Sequence, residues 1–366
     1  MKVLRDHIVG EFFSPFFLSI SSFVFLFLLG RGLVQMADFI FNKSVDVFLV
    51  LQLLWYSLPF ILTFIVPMSV LVATLSMFGK LSYDNEIMAM RASGLSLLKI
   101  AKPLFFVAIL LSLGTFILSD QLASTTHYRY RQLLTRIGIE NPGAALEEGT
   151  FIKKFKNFVI FIYEIDKNKL KGIRIYQPQE GKPTRTITAQ KGELISMPEE
   201  GIIKLRLIQG TSDEPDPKDP AKFYTINFKT YDFPLNVSEV KSSEALGKKP
   251  KDMSIRELRA EIENLGQDGI RGTYPLTAEI HNKIALALSN ITFLLIGIPL
   301  GITARRSNHS VSFAISLALM TLYWMLLITG KALAQKGLVP AFLGLEFANM
   351  IVGGTGIVLL KKITKA

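Results

Sequence analysis

Six stretches of this sequence reach or approach the length and apolarity that a helix needs to cross a lipid bilayer. The hydrocarbon core is about 30 Å thick, so a spanning helix needs about 20 mostly apolar residues. The stretches are 12–34, 47–77, 104–119, 284–302, 311–329 and 338–360. The composition agrees, because 49% of the 366 residues are hydrophobic. The chain is therefore predicted to be an integral membrane protein with six transmembrane helices.

The first two runs need separate interpretation. The first is too long for the roughly 7–15-residue core of a signal peptide, and no small-residue cleavage site follows it, so a retained anchor is predicted. The second exceeds the length of a straight perpendicular helix and contains Pro59 and Pro67. Because each proline removes a backbone hydrogen bond, a kink or tilt is predicted there.

The distribution of Lys and Arg predicts the orientation of the chain, since short cytoplasmic loops carry an excess of both. Most of the flanking cations fall on one side: Lys2, Arg5, Lys80, Arg91, Lys99, Lys102, Arg305, Arg306, Lys361, Lys362 and Lys365. The opposite short loops hold only Lys43, Lys331 and Lys336. Both termini are therefore predicted to be cytoplasmic, with residues 121–274 outside. The same bias accounts for the net charge of +11 without a nucleic-acid partner.

Between the third and fourth runs the pattern changes to short segments in which apolar and polar residues alternate. The segments are rich in β-branched and aromatic residues and are separated by turn formers; they are 158–163, 172–176, 203–207 and 226–229. Such a pattern is typical of an antiparallel sandwich or jelly roll. The predicted fold is a membrane α-helical protein of six transmembrane helices with an inserted extracytoplasmic all-β jelly-roll domain. The predicted divisions are 1–120, 121–253 and 254–366.

A capping box follows the charged linker 241–251. Ser254 stands at the N-cap and Glu257 three residues later, an arrangement that satisfies exposed N–H groups at a helix start. The following residues mark one apolar face: Ile255, Leu258 and Ile262. A short amphipathic helix is predicted. It lies either on the outer membrane surface or against the β-domain.

The predicted cytoplasmic loop 79–94 contains a second short helix. Residues 86–92 are good helix formers, and Gly94 occupies the position of a C-cap glycine. A short helix between two spans suits docking of a soluble partner, and an ordinary interfacial helix is the alternative.

Three polar residues lie within or beside the apolar runs. Arg31 is 19 residues from the start of the first run, roughly 28 Å along a helix, so it lies near the outer interface. There it either snorkels to water or contacts an anionic lipid head group. Glu346 and Asn349 share one face of the sixth helix and predict a contact between helices, with a translocation path as the alternative.

Several chemistries find no support in the sequence. The phosphate-binding pattern G-x-x-x-x-G-K-[ST] and the zinc motif H-E-x-x-H do not occur. The chain has no Cys, and His7, His127, His281 and His309 are scattered, which disfavours a metal site. No cofactor bound by this chain is expected.

Particular motifs resemble the LptF/LptG family of lipopolysaccharide exporter permeases. They are Phe-Gly-Lys-Leu at 78–81, Glu-Ile at 86–87, Met-Arg-Ala-Ser-Gly-Leu-Ser at 90–96, Asn-Pro-Gly-Ala-Ala-Leu at 141–146, Gly-Thr-Phe at 149–151 and Pro-Leu-Gly at 299–301. The order of three spans, a periplasmic β-domain and three spans is similar as well, so the resemblance covers essentially the whole chain. The Gly-Lys-Leu and Asn-Pro-Gly elements resemble LptF more than LptG.

The resemblance implies a set of partners and site residues. In that family LptF and LptG pair in the bacterial inner membrane, and two copies of the ATPase LptB bind their cytoplasmic coupling helices. Lipopolysaccharide then passes to periplasmic jelly rolls and on through LptC and LptA. By motif position Glu86, Arg91 and Gly94 belong to the ATPase-coupling helix. Arg31 falls where the family has a basic residue facing lipid A phosphates, here Arg instead of Lys, which changes the geometry of the charge.

The resemblance thus predicts a non-catalytic permease subunit of an ATP-driven lipopolysaccharide extractor, paired with an LptG-like sister permease or with a second copy of itself. Two other functions stay open. A lipoprotein-release permease of the LolC/LolE type is disfavoured, because those proteins insert their large domain after the first of four helices. The other is a membrane-anchored interaction protein whose β-domain binds a partner without transport.

Overall fold

The structure, a computed structural model, describes most of the chain; the described ranges are 2–32, 37–42, 45–140, 149–155, 158–166, 169–179, 182–197, 202–215, 223–235, 247–265, 270–303 and 309–365. The chain divides into two compact units. The helical unit contains Met1–Leu29, Tyr56–Tyr128 and Lys248–Ala366. The sheet unit contains Gly30–Trp55 and Arg129–Gly247.

The described helices are, in chain order, α1 Lys2–Phe27, α2 Val47–Tyr83, α3 Glu86–Ala92, α4 Leu97–Ile117, α5 Ser124–Glu140, α6 Ile255–Leu265, α7 Ile270–Thr303, α8 His309–Gln335 and α9 Ala341–Lys365. Short π-helical turns occupy Leu28–Gly32, Asp38–Asn42 and Leu118–Ala123. Six helical stretches are long and apolar enough to cross a membrane, which confirms the six predicted spans: Val3–Gly30, Val47–Tyr83, Leu97–Ile137, Gly272–Thr303, Ala314–Gln335 and Ala341–Lys365.

The helices extend beyond the apolar runs that predicted them. Helix α1 begins at Lys2, ten residues before its apolar run, because the added turns find partners: Ile8 is completely buried and Glu11 accepts hydrogen bonds from Lys80. Pro59 and Pro67 both lie inside the continuous helix α2. Hydropathy measures only the part of a helix that lies in lipid, whereas backbone hydrogen bonding continues into water.

Two buried clusters form the core of the helical unit. The first joins α1, α2, α3 and α4 and includes Ile8, Phe12, Phe78, Ile87 and Ile100. The second joins α2, α7, α8 and α9 and includes Leu71, Leu75, Phe293, Tyr323 and Leu345. Leu294 and Ile298 of α7 belong to the first cluster as well, so α7 links the two clusters.

Helices α8 and α9 approach each other closely at a pair of glycines. A Cβ atom added to Gly330 would collide with the carbonyl group of Gly344, and one added to Gly344 would lie 2.7 Å from the carbonyl oxygen of Gly330. Small residues at such a crossing let two membrane helices gain backbone-to-backbone packing. Both positions therefore require glycine.

The described strands of the sheet unit form one antiparallel sheet in the order β1-β2-β3-β4-β5-β6, with bounds β1 Phe151–Phe155, β2 Phe158–Asp166, β3 Lys169–Gln179, β4 Lys182–Met197, β5 Ile202–Pro215 and β6 Phe223–Leu235. Every predicted alternating segment falls inside a strand. Alternate residues such as Ile160, Ile162, Ile173 and Ile175 are fully buried on one face. The inserted antiparallel sheet is confirmed. The jelly-roll topology is not, since these strands form one meander.

The capping box at the start of α6 is confirmed. The backbone N–H of Ser254 donates to Glu257 Oε2 at 2.8 Å, and the backbone N–H of Glu257 donates to Ser254 Oγ at 3.3 Å. Leu258 is completely buried, and α6 packs on α7 within the helical unit. Gly266, the expected stop, lies outside the described residues.

Candidate functional site

The short helix α3 is terminated by the glycine cap that the sequence predicted. Gly94 has φ +84°, its N–H donates to the carbonyl of Arg91 at 2.9 Å, and the N–H of Leu95 donates to the carbonyl of Met90 at 3.1 Å. This pair of bonds is the Schellman motif, whose left-handed residue is normally glycine. The cap gives the loop after α3 one defined path.

One side of helix α3 is buried against the protein, and its other side is exposed. Ile87 is buried against Ile8 of α1 and Ile100 of α4, while Met88 and Arg91 are exposed. An exposed apolar side chain beside an exposed cation is a surface that a soluble protein can contact. The structure therefore brings Glu86, Arg91 and Gly94 together on one short, supported helix.

Two side-chain contacts join the N-terminal part of α1 to the neighbourhood of α3. His7 Nε2 lies 3.0 Å from Glu86 Oε2, and the two side chains are 44% and 38% exposed. Lys80 Nζ donates to Glu11 Oε2 at 2.8 Å and to Glu11 Oε1 at 3.0 Å. These partners of Glu86 and Lys80 did not emerge from the sequence, because 79 and 69 residues separate them.

Arg31 belongs to the sheet unit, whereas α3 belongs to the helical unit. The backbone of Arg31 lies in the π-helical turn Leu28–Gly32 that follows α1, and its side chain lies outside the described residues. π-Helical turns inside helices occur frequently at functional sites. The prediction that Arg31 contacts a lipid head group stays a prediction.

A groove of about 710 Å³ lies between α1 and α2. Hydroxyl groups of Ser14, Ser22 and Ser76 line it together with the apolar side chains of Leu18 and Phe23, and the Lys80–Glu11 pair lines it as well. Hydroxyl groups are uncommon on a purely lipid-facing helix surface, since lipid offers them no partner. The groove thus differs from the apolar outer faces of the same helices.

A second charged cluster surrounds Lys283 of α7. Its ammonium, only 3% exposed, donates to Asp120 Oδ1 at 3.2 Å, to Ser124 Oγ at 2.7 Å and to the carbonyl of Met253 at 2.6 Å. Asp120 Oδ1 also accepts the N–H of Ile255 at 2.6 Å. All three ammonium protons are used, so the cluster binds the start of α6 to the helices and the Lys283 ammonium has no proton left to donate.

A second contact holds the segment before α6. His127 Nδ1 lies 2.5 Å from Asp252 Oδ1, and Asp252 Oδ2 accepts the backbone N–H of Lys249 at 2.9 Å. The Asp252 side chain is completely buried. Sequence reasoning missed this contact and the Lys283 cluster; the available signal was a charged residue at the end of an apolar run.

Glu346 and Asn349 contact each other, and Asn349 joins three helices. The amide of Asn349 donates to Glu346 Oε2 at 2.8 Å and to the carbonyl of Ala285 at 3.1 Å, and its oxygen accepts from Thr292 at 3.0 Å and Tyr323 at 3.1 Å. The predicted contact between helices is confirmed for Asn349. For Glu346 the hydrogen bond within the described residues is to Asn349 of the same helix, and its Oε1 is buried without a partner there. Within the described ranges, no group of three or more His, Asp and Glu side chains is arranged to hold a metal ion.

Comparison with known proteins gives one family. The profile of the family described as "Lipopolysaccharide export system permease LptF/LptG" matches residues 6–362. The chain is 24% identical to the lipopolysaccharide export system permease protein LptF of Escherichia coli (strain K12) over 333 residues, which cover 90% of this chain and 87% of that protein. The LptF of Shigella flexneri matches with the same identity and coverage. "Uncharacterized protein RP871" of Rickettsia prowazekii is 24% identical over 157 residues, or 43% of this chain and 44% of that protein.

Proposed function

The chain belongs to the lipopolysaccharide export permease family LptF/LptG, a multi-pass protein of the inner membrane, and from this premise we propose that it is the non-catalytic permease subunit of an ATP-driven lipopolysaccharide extractor. ATP is hydrolysed by two copies of a separate LptB-type ATPase, and this chain binds no cofactor. It works with an LptG-like sister permease or a second copy of itself. Lipopolysaccharide leaves through LptC- and LptA-like periplasmic proteins.

The observation that carries the proposal is helix α3, a supported surface helix at the family's coupling position. Glu86 begins it, Arg91 lies exposed in its last turn, and Gly94 caps it. Buried Ile87 ties it to α1 and α4, so a force on α3 acts on two spans directly. In the proposed orientation α3 and both termini face the cytoplasm, because the flanking cations cluster there.

The lipid-binding part of the proposal assigns Arg31 to the phosphates of lipid A. A guanidinium binds phosphate through parallel hydrogen bonds, and an interfacial position avoids the cost of a charge at the bilayer centre. The groove between α1 and α2, with apolar walls and hydroxyl groups, supports a lipid-contacting role for the same helix.

One experiment tests both parts. The chain is purified from its native membrane with whatever accompanies it, and bound proteins and lipids are identified by mass spectrometry. The wild-type chain should co-purify with an ABC ATPase, a sister permease and lipopolysaccharide. Glu86→Arg should lose the ATPase and keep the lipid, whereas Arg31→Glu should keep the ATPase and lose most of the lipid.

Matched controls use charges outside the proposed sites. Glu263→Arg places the same reversal on the exposed face of α6, and Arg5→Glu places it at the other end of α1. Both should behave like wild type. A folded wild-type preparation without ATPase, sister permease or lipopolysaccharide would overturn the proposal and favour the membrane-anchored interaction protein.

A further inference from the structure

The carboxylate of Glu86, at the start of α3, contacts a side chain of another helix. His7 contacts Oε2 of the carboxylate, while Oε1 accepts no hydrogen bond from any part of the chain that the structure describes. One oxygen is held by a residue of α1, and the side chain as a whole is 38% exposed. A carboxylate held at one oxygen loses rotamer freedom before a partner arrives, which lowers the entropic cost of binding that partner.

His7 is placed for this contact by the rest of α1. His7 and Glu11 are four residues apart and share one side of the helix, so their two contacts, to Glu86 and Lys80, are neighbours. The adjacent residues Ile8 and Phe12 are buried in the same cluster as Ile87. This packing fixes the rotation of α1, and the rotation directs His7 at α3.

We propose that His7 is a positioning residue for Glu86: it holds one carboxylate oxygen so that the carboxylate is presented to the ATPase in one orientation. The inference rests on the proposed function, since it assumes that Glu86 contacts the ATPase. The coupling surface then includes a residue of α1 in addition to the residues of α3.

The test is a titration of the ATPase onto the intact permease complex in lipid nanodiscs, with the dissociation constant as readout. His7→Ala is expected to weaken binding about two- to fivefold, the range for an exposed ion pair. His7→Gln, whose amide also donates a hydrogen bond, is expected to restore binding close to wild type. In Glu86→Gln, the further change His7→Ala is expected to have little effect, because the carboxylate that His7 positions is gone.

A matched control is Asp6→Ala, one residue away on α1, whose carboxylate pairs with exposed Arg5. It should bind the ATPase like wild type. The inference is overturned if His7→Ala binds like wild type, if His7→Gln binds no better than His7→Ala, or if the losses from His7→Ala and Glu86→Gln add fully. A wild-type complex that binds no ATPase would instead refute the proposed function, so the two failures are distinguishable.

Discussion

The two charged regions of the helical unit use similar side chains in different surroundings. Around α3 the pairs His7–Glu86 and Glu11–Lys80 are partly exposed to water. The second region lies around Asp120, which follows α4. There Lys283 and Asp252 are almost completely buried, and the contacts of this region reach the backbone of residues 249–255. An exposed pair exchanges its partner at little cost, whereas a buried pair that loses a member leaves an uncompensated charge. Burial therefore separates a surface that can respond to a partner from one that fixes the fold.

The largest effect is expected from Lys283→Met. It removes three hydrogen bonds and leaves Asp120 without its cation, and breaking a buried pair in this way costs about 3–5 kcal/mol. We expect a lower thermal unfolding temperature of the purified protein and less protein in membranes. Lys336→Met, on the exposed end that follows α8, is the matched control and should be neutral. If Lys283→Met and Lys336→Met were equally stable, the conclusion that the buried region fixes the fold would be wrong.

A smaller effect is expected from Gly94→Ala. No atom lies within 4 Å of the added Cβ, so the cost comes from the positive φ alone and amounts to about 1–2 kcal/mol. Because the strain falls on the α3 cap, ATPase association should weaken while thermal stability changes little. Gly114→Ala, at an exposed and equally open site inside α4, is the control and should not weaken association. Unchanged ATPase association in Gly94→Ala would show that the conformation of the α3 cap does not affect ATPase binding.

The smallest effect is expected at the exposed start of α6, close to the buried region. The ammonium of Lys248 and the N–H of Ser254 lower the pKa of Glu257 by bonding its charged form. Because the folded-state pKa is depressed, the resulting stabilisation is complete at neutral pH and is lost as pH falls through that pKa. Amides at the start of α6 should exchange hydrogen faster, relative to the rest of the chain, once the pH is low enough to protonate Glu257 in the folded protein.

Glu257→Gln serves as the comparison for that measurement, since an amide has no titration to lose. Its α6 amides should show no such relative change between neutral and acidic pH. The difference should stay below the roughly 1 kcal/mol typical of a helix N-cap, because water screens the pair. A pH effect of the same size in Glu257→Gln would assign the change to another group.

Local sequence patterns predicted the elements and missed most of the contacts between them. Because the bilayer has a fixed thickness, a continuous apolar run of sufficient length predicts a transmembrane helix. A glycine at the end of a short helical segment predicted the Gly94 cap. The pairs His7–Glu86 and Lys283–Asp120 join residues 79 and 163 positions apart. No periodicity encodes such a pairing, because it depends on how helices are rotated and packed. The first turns of α1 were missed for the same reason, since their partners lie on other helices.

The glycine crossing of α8 and α9 limits how this chain can change shape. Two helices whose backbones touch cannot rotate against each other without opening a gap that no side chain fills, so Gly330 and Gly344 join them into one rigid body. Helix α9 is further tied to α7 by the close approach of Gly356 to Leu295 and Ile296. The three C-terminal spans are therefore joined by backbone contacts at two crossings, and rotating one of them against its neighbour would open a gap at a crossing.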